Sequence, residues 1–166
     1  FAFQDCTALK SVSIYSNVSV IPEQAFGNCI SLEKINIPST VKSLGSYAFY
    51  NCSALTELTL SKNITDIANG AFYNCPNLTL YGYYDTVAES YAEQNNIPFV
   101  HLDKKVISGD VNLDGKIDVN DVTLLQRYIA GESVLTDDAV KVADFNKDRI
   151  IDVIDVTAIQ TFIAQN

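Results

Sequence analysis

The sequence predicts an α+β chain of two domains, a parallel β-solenoid over residues 1–101 and an all-α unit over 108–166, joined by a short linker at 102–107. Three observations lead there. A 23-residue repeat runs through the first part, an oxygen-rich twelve-residue stretch occurs twice in the second, 34 residues apart, and apolar residues at helical spacing follow each stretch. The composition, 48% apolar and 19% charged, is that of a folded globular chain. Net charge is −9, divided as −4 over residues 1–102 and −5 over 103–166. Nucleic acid and anionic membrane surfaces demand clustered Lys and Arg, so this balance argues against both. No apolar run is long enough to span a bilayer as a helix.

The repeat aligns on Ala2-Phe3-Gln4-Asp5-Cys6, Ala25-Phe26-Gly27-Asn28-Cys29, Ala48-Phe49-Tyr50-Asn51-Cys52 and Ala71-Phe72-Tyr73-Asn74-Cys75. After the cysteines come Leu9, Leu32, Leu55 and Leu78, then Val12, Ile35 and Leu58, then Ile14, Ile37 and Leu60. That spacing alternates in and out, as a short parallel strand lining a solenoid does. A second apolar group follows in each turn: Val18 and Ile21, Val41 and Leu44, Ile64 and Ile67. Each repeat buries its inner face only by stacking on its neighbours.

This pattern, Ala-Phe-x-Asn-Cys-x-x-Leu-x-x-Ile-x-Ile-Pro, resembles the BspA-type leucine-rich repeat of secreted and surface bacterial proteins, over roughly residues 1–101. Pro38 keeps the family's proline, whereas Tyr15 or Ser16 and Ser61 stand in its place elsewhere. The fourth repeat breaks down after Leu80, so residues 81–101 read as a C-terminal cap. Within it, Val87 to Gln94 predicts a helix with Thr86 as N-cap and Glu89 completing a capping box. Asn95-Asn96 ends that helix, and Ile97 to Val100 adds a last strand. Residue 1 already sits inside a repeat, which predicts further sequence upstream.

Cys6, Cys29, Cys52 and Cys75 fall one per repeat and so form a column, with neighbours about 4.7–4.9 Å apart. That spacing does not forbid a disulfide. A column of small buried residues is the commoner cause of such a pattern, and reduced, packed cysteines are expected. The outward strand positions, Lys10, Ser11, Ser13, Glu33, Lys34, Asn36, Thr56, Glu57 and Thr59, are small, polar and mixed in charge. Tyr50 and Tyr73 stack in register, and Tyr81, Tyr83 and Tyr84 cluster near the cap. These tyrosines suit a glycan or protein ligand and also ordinary solenoid packing.

Catalysis is hard to support. With one histidine, His101, no serine or cysteine triad can be assembled. Nothing in the placement of Asp5, Glu23, Glu33, Glu57, Asp66 or Asp85 predicts two carboxylates converging in a cleft.

The duplicated stretches are Asp110–Asp121, DVNLDGKIDVND, and Asp144–Asp155, DFNKDRIIDVID. Oxygen side chains fall at loop positions 1, 3, 5, 9 and 12: Asp110, Asn112, Asp114, Asp118 and Asp121, then Asp144, Asn146, Asp148, Asp152 and Asp155. The carbonyls of Lys116 and Ile150 fill position 7. Calcium takes six to eight oxygen ligands, so each loop can wrap one ion. Gly115 supplies a left-handed turn at position 6, where the second loop has Arg149. A non-glycine residue there costs roughly 1 kcal/mol or more, which predicts that the second site is the weaker. Ile117 and Ile151 at position 8 face away from the ion. Residues 104–109 are too short and β-branched for an entering helix, whereas Val122, Leu125, Ile129 and Val156, Ile159, Ile163 predict an exiting one. Thr136 caps a short helix between the two units.

A duplicated loop-helix unit with Asp at position 12, opening on Gly-Asp-Val-Asn, resembles the type I dockerin domain. The resemblance implies a plug holding two calcium ions that docks into a cohesin module of a scaffoldin, in the extracellular cellulosome that degrades plant polysaccharide. Cohesin selection in that family uses loop positions 10 and 11 and helix positions 17, 18 and 22. The first copy offers Val119, Asn120, Gln126, Arg127 and Gly131, and the second Val153, Ile154, Gln160, Thr161 and Gln165. Divergence between the copies predicts one preferred orientation, centred on Val153-Ile154. The expected function is therefore a secreted, non-catalytic cellulosome component whose repeats bind a protein or glycan. Rival readings are a calcium sensor or adhesin, or a fragment of a larger polysaccharide-degrading enzyme.

Overall fold

Leucine, valine and isoleucine at every second position close a row of very short strands in the first half of the chain. They are β1 (Ser11–Ser13), β2 (Val20–Ile21), β3 (Lys34–Asn36), β4 (Ser43–Leu44), β5 (Glu57–Thr59), β6 (Asp66–Ile67), β7 (Thr79–Gly82) and β8 (Phe99–His101). The computed structural model describes residues 2–15 and 17–166. Ser16, one of the residues expected in the place of the repeat proline, lies outside them. Two units are resolved by contact, Phe1–Lys104 and Lys105–Asn166.

The strand pairs described in the first unit are all parallel, and β1–β3, β2–β4 and β4–β6 are in register by one 23-residue repeat. Ser11 faces Lys34 and Val12 faces Ile35 in one ladder, Val20 faces Ser43 and Ser43 faces Asp66 in a second, and Leu58 faces Leu80 in a third. Strand β8 extends the third ladder beyond β7. Inner positions such as Ile35, Leu44, Leu58 and Leu80 are buried while their strand neighbours Lys34, Asn36, Glu57 and Thr59 are exposed. The second apolar group of each repeat therefore forms its own narrow sheet, and the core lies between the two faces.

The Ala-Phe-x-Asn-Cys motif is explained atom by atom. Its phenylalanines stack in a continuous ladder, Phe3 on Phe26 on Phe49 on Phe72, with centroids 5.3–5.4 Å apart. Asp5, Asn28, Asn51 and Asn74 all hold left-handed backbone (φ 58–61°). Asn and Asp tolerate that region best among non-glycine residues. Their side chains also bond one another along the solenoid: Asn28 Nδ2 donates to Asp5 Oδ1 (2.8 Å), Asn51 to Asn28 (3.0 Å) and Asn74 to Asn51 (2.7 Å).

All four cysteines are free. The thiols of Cys29, Cys52 and Cys75 each donate to the carbonyl of the phenylalanine one repeat back, Phe3, Phe26 and Phe49, at 3.0–3.2 Å. Burial pushes the Cys29 thiol up. The Cys75 thiol beside it and burial together push Cys52 up. Because the thiolate is the nucleophile, Cys29 and Cys52 are expected to resist iodoacetamide in the native protein and to react only after denaturation. Peptide mass mapping checks this, and a native adduct on either residue contradicts it.

The cap follows from local chemistry. Helix α1 (Val87–Gln94) has Thr86 as N-cap, whose hydroxyl accepts from Glu89 N–H. The expected capping box is altered: the Glu89 carboxylate accepts from the N–H of Asp85, not of Thr86 (2.7 Å). Its other oxygen lies 2.6 Å from His101 Nε2, and His101 stacks on Tyr84 at 3.6 Å. Both interactions fix the last strand. Asn96 takes left-handed backbone after the helix (φ 54°).

In the second unit three helices, α2 (Val119–Ile129), α3 (Asp137–Ala143) and α4 (Val153–Gln165), surround a small core of Val111, Val122, Leu125, Leu135, Ala139, Ala143, Val156 and Ile159. Ile117 and Ile151 pack against it from the loops. Thr136 caps α3 by accepting from Ala139 N–H (3.2 Å). No helix enters the first loop, as residues 104–109 predicted.

Candidate metal and docking site

Each loop is held by a set of backbone-to-side-chain hydrogen bonds that its amino acids dictate. In the first, Asp110 accepts from the N–H groups of Asp114 and Gly115 (3.0 and 2.8 Å). Asn112 accepts from Asp114, Asp114 from Lys116 and Asp118 from Asn120 (2.7–3.0 Å). Asp121 accepts from Asn112 and Asp118 (3.0 and 2.8 Å). The second loop repeats the set 34 residues on. Asp144 accepts from Asp148 and Arg149, Asn146 from Asp148, Asp148 from Ile150, Asp152 from Ile154, and Asp155 from Asn146 and Asp152 (2.7–3.1 Å).

Positions 9 and 12 have a role that spacing alone does not reveal. Asp118 and Asp152 are the N-caps of α2 and α4, and Asp121 and Asp155 at the third helical position bond back to them, completing capping boxes. Each helix therefore starts from the residues that close its loop. Left-handed backbone occurs at position 6 in both loops, Gly115 (φ 92°) and Arg149 (φ 73°). It also occurs at position 4, in Leu113 (φ 59°) and Lys147 (φ 64°), which pattern reading did not anticipate.

Asp110, Asp121 and Asp155 are almost wholly buried. None of them is in an ion pair with Lys, Arg or His among the described residues. Buried carboxylates are stable when paired, when hydrogen-bonded or when they coordinate a metal. Here backbone N–H groups supply partial compensation. Burial pushes the Asp121 carboxyl above the usual range, against the pull of the Asn112 and Asp118 N–H groups. Among the described residues no three His, Cys, Asp or Glu side chains converge into a cluster of their own. The all-oxygen donor set nevertheless fits a hard cation, because Asn112 or Asn146 and the carbonyl of Lys116 or Ile150 would complete each loop.

Asp144 is only half-buried, and residues 146–150 of the second loop are exposed throughout. Arg149→Gly is expected to stabilise the calcium-loaded second unit by about 1 kcal/mol by relieving left-handed strain. Chemical denaturation of the two proteins checks it, and a neutral or destabilising result contradicts it.

Val119, Val153 and Ile154 are 66%, 65% and 56% exposed. The pair Val153-Ile154 therefore does not pack in the interior. Asn120, Gln126, Arg127, Gly131, Gln160, Thr161 and Gln165 are also exposed. Valine at position 10 and glutamine at position 17 are the same in both copies, so among the candidate cohesin contacts the copies differ only at positions 11, 18 and 22. Gly131 (φ 75°) lies beyond the end of α2, whereas Gln165 is the last residue of α4.

The repeat unit carries a groove of about 770 Å³ along β1, β3 and β5, bounded by Tyr81 and Tyr83. Its lining includes the predicted outward residues Ser11, Ser13, Lys34, Asn36, Glu57 and Thr59. Lys62 lies over the Tyr83 ring at 4.7 Å and pairs with Asp103 at 2.8 Å.

Two family models match successive parts of the chain. Residues 1–97 match the BspA type leucine rich repeat region in six copies, and residues 108–164 match the dockerin type I domain. The chain belongs to the BspA-type leucine-rich-repeat family, and its second part is a type I dockerin domain. Both are non-catalytic domain types. A leucine rich cell surface protein from Faecalibacterium prausnitzii A2-165 is 30% identical, covering 49% of this chain and 21% of its own, with a TM-score of 0.46. A leucine-rich repeat protein from Bacteroides ovatus ATCC 8483 is 22% identical, covering 61% and 32%, with a TM-score of 0.40. The chain thus matches about a fifth to a third of the length of those two proteins. No curated protein sequence matches significantly. No helix among the described residues is long and apolar enough to cross a membrane.

Proposed function

We propose that this chain is a non-catalytic component of a secreted cellulosome, in which the dockerin binds a scaffoldin cohesin in a calcium-dependent way and carries a repeat module that binds a ligand. The supporting observation is the duplicated loop-helix unit, matched bond for bond, with buried carboxylates inside and exposed aliphatic residues beside them. Asp110, Asn112, Asp114, Lys116, Asp118 and Asp121 hold one calcium ion. Asp144, Asn146, Asp148, Ile150, Asp152 and Asp155 hold the other, through carbonyls at Lys116 and Ile150. The ions neutralise loop carboxylates that otherwise repel one another, so calcium is structural and the docking face exists only on the loaded fold.

Each docking surface starts where a loop becomes a helix, so one cohesin reads residues from both. Val153 and Ile154 form its centre, and the polar residues along α4 and α2 form its rim. Residues 102–107 link the modules. Co-elution of the full chain with individual cohesins in size-exclusion chromatography tests the reading. A complex in calcium that dissociates on chelation supports it. A calcium-loaded chain that elutes alone with every cohesin favours the sensor reading.

A further inference from the structure

The x residue of the Ala-Phe-x-Asn-Cys motif forms a column, Gln4, Gly27, Tyr50 and Tyr73, that becomes exposed at Tyr73. A second column, three residues earlier in each repeat, holds Gln24, Tyr47 and Gly70, all in left-handed backbone (φ 52°, 55° and 69°). The first column, Gln24 and Tyr47 of the second, and Asn28 line a cleft of about 320 Å³. Its lining, Gln4, Gln24, Gly27, Asn28, Tyr47, Tyr50 and Tyr73, contains no charged side chain, in a chain of net charge −9. Tyr50 and Tyr73 stack at 6.0 Å, and Tyr47 stands edge-on to both, at 6.0 and 6.5 Å.

Tyr47 is the informative residue. An aromatic side chain in left-handed backbone is strained, and such strain persists where the surroundings or a function hold it. One repeat later the same position is glycine, so the fold itself does not demand tyrosine there. Gly70 in turn leaves room for the Tyr47 ring, since a Cβ there would lie 2.7 Å from it. Tyr47 is nevertheless 44% exposed, and Tyr73 63%. The rings are thus held in place and still open to solvent.

We infer that this cleft binds a neutral polysaccharide. A pyranose presents a C–H face that stacks on an aromatic ring and hydroxyls at its rim that exchange hydrogen bonds with amides. Tyrosine offers an apolar face with a polar tip, and Gln4 and Gln24 offer both donors and acceptors. An uncharged lining pays no desolvation penalty for ions and attracts no charged polymer. The columns follow the solenoid axis, so successive sugar units of one chain can lie along them. The groove along β1, β3 and β5, with Glu33, Lys34 and Glu57 and rings only at one end, lacks this combination.

Affinity electrophoresis of the full chain through gels holding xyloglucan, mixed-linkage β-glucan, galactomannan or polygalacturonate tests the inference. At least one neutral polymer is expected to retard the protein, equally with calcium and with chelator, and polygalacturonate is not. Tyr73→Ala and Tyr47→Gly should each weaken the retardation at least tenfold, while Tyr15→Ala, an exposed tyrosine outside the cleft, leaves it unchanged. Glycine suits the backbone at position 47, so Tyr47→Gly separates lost binding from lost folding. Retardation by none of the neutral polymers, or equal retardation of wild type and both cleft variants, overturns the inference. A protein ligand at the cleft would give the first of these outcomes.

Discussion

Replacing Val153 and Ile154 together by aspartate is expected to abolish cohesin binding while leaving calcium-dependent folding intact. The two residues occupy the first two positions of α4 and are exposed, so the substitution removes no core contact. Acidic residues are favourable at a helix N-terminus, so the helix itself tolerates them. At an interface the outcome differs. Two aliphatic anchors are lost, and two carboxylates would be buried without partners, at a cost of about 3 kcal/mol or more. That amounts to more than a hundredfold in affinity. The matching change in the first copy, Val119→Asp with Asn120→Asp, should have a clearly smaller effect, because Asn120 is polar where Ile154 is apolar. Calorimetry on both variants checks the ranking. Undiminished binding by the Val153/Ile154 variant would move the contact to the first copy, and loss of folding would return those residues to a structural role.

Chelating calcium is expected to unfold residues 105–166 and leave the repeat unit folded. The second unit has eight buried apolar residues in its core cluster, and five of them, Val111, Val122, Ala139, Ala143 and Val156, are only alanine or valine. A core that small rarely sustains a fold without a metal or cross-link. Asp121 adds to the imbalance, since burial disfavours its charged form. Its folded-state value is raised, so its contribution to the metal-free fold is present at low pH and lost as pH rises through that value. Calcium reverses this by favouring the carboxylate. The repeat unit has no such dependence: its core is continuous from Ile21 to Ala92, and its polar ladders are satisfied within the chain. Amide NMR spectra before and after chelation would show collapse of the signals from one unit and persistence of those from the other. Retention of a dispersed spectrum for 105–166 would contradict the structural role of the ions.

The sequence made the repeat legible because a solenoid writes its geometry at a fixed period. Val12, Ile35 and Leu58 could be placed on inner faces from spacing alone, and the strands occur there. Spacing did not reveal why the fourth motif residue is Asn or Asp, because both the left-handed backbone and the amide ladder exist only once neighbouring turns stack. His101, the one histidine of the sequence, packs on Tyr84 and Glu89 through a strand pairing of the cap that no local pattern encodes. The loops were readable from their alternating oxygens. Their left-handed residues at Leu113 and Lys147 were not, since neither is glycine or asparagine. The double use of Asp118 and Asp152 as helix caps follows from sequence once the helix start is known, but the start is set by the loop.

Calorimetric titration of the full chain against a panel of cohesins, first in calcium and then in chelator, tests the central claim most directly. Tight one-to-one binding to a cohesin in calcium, absent in chelator, is the predicted result. Two bound calcium ions with no heat of binding to any cohesin would contradict it.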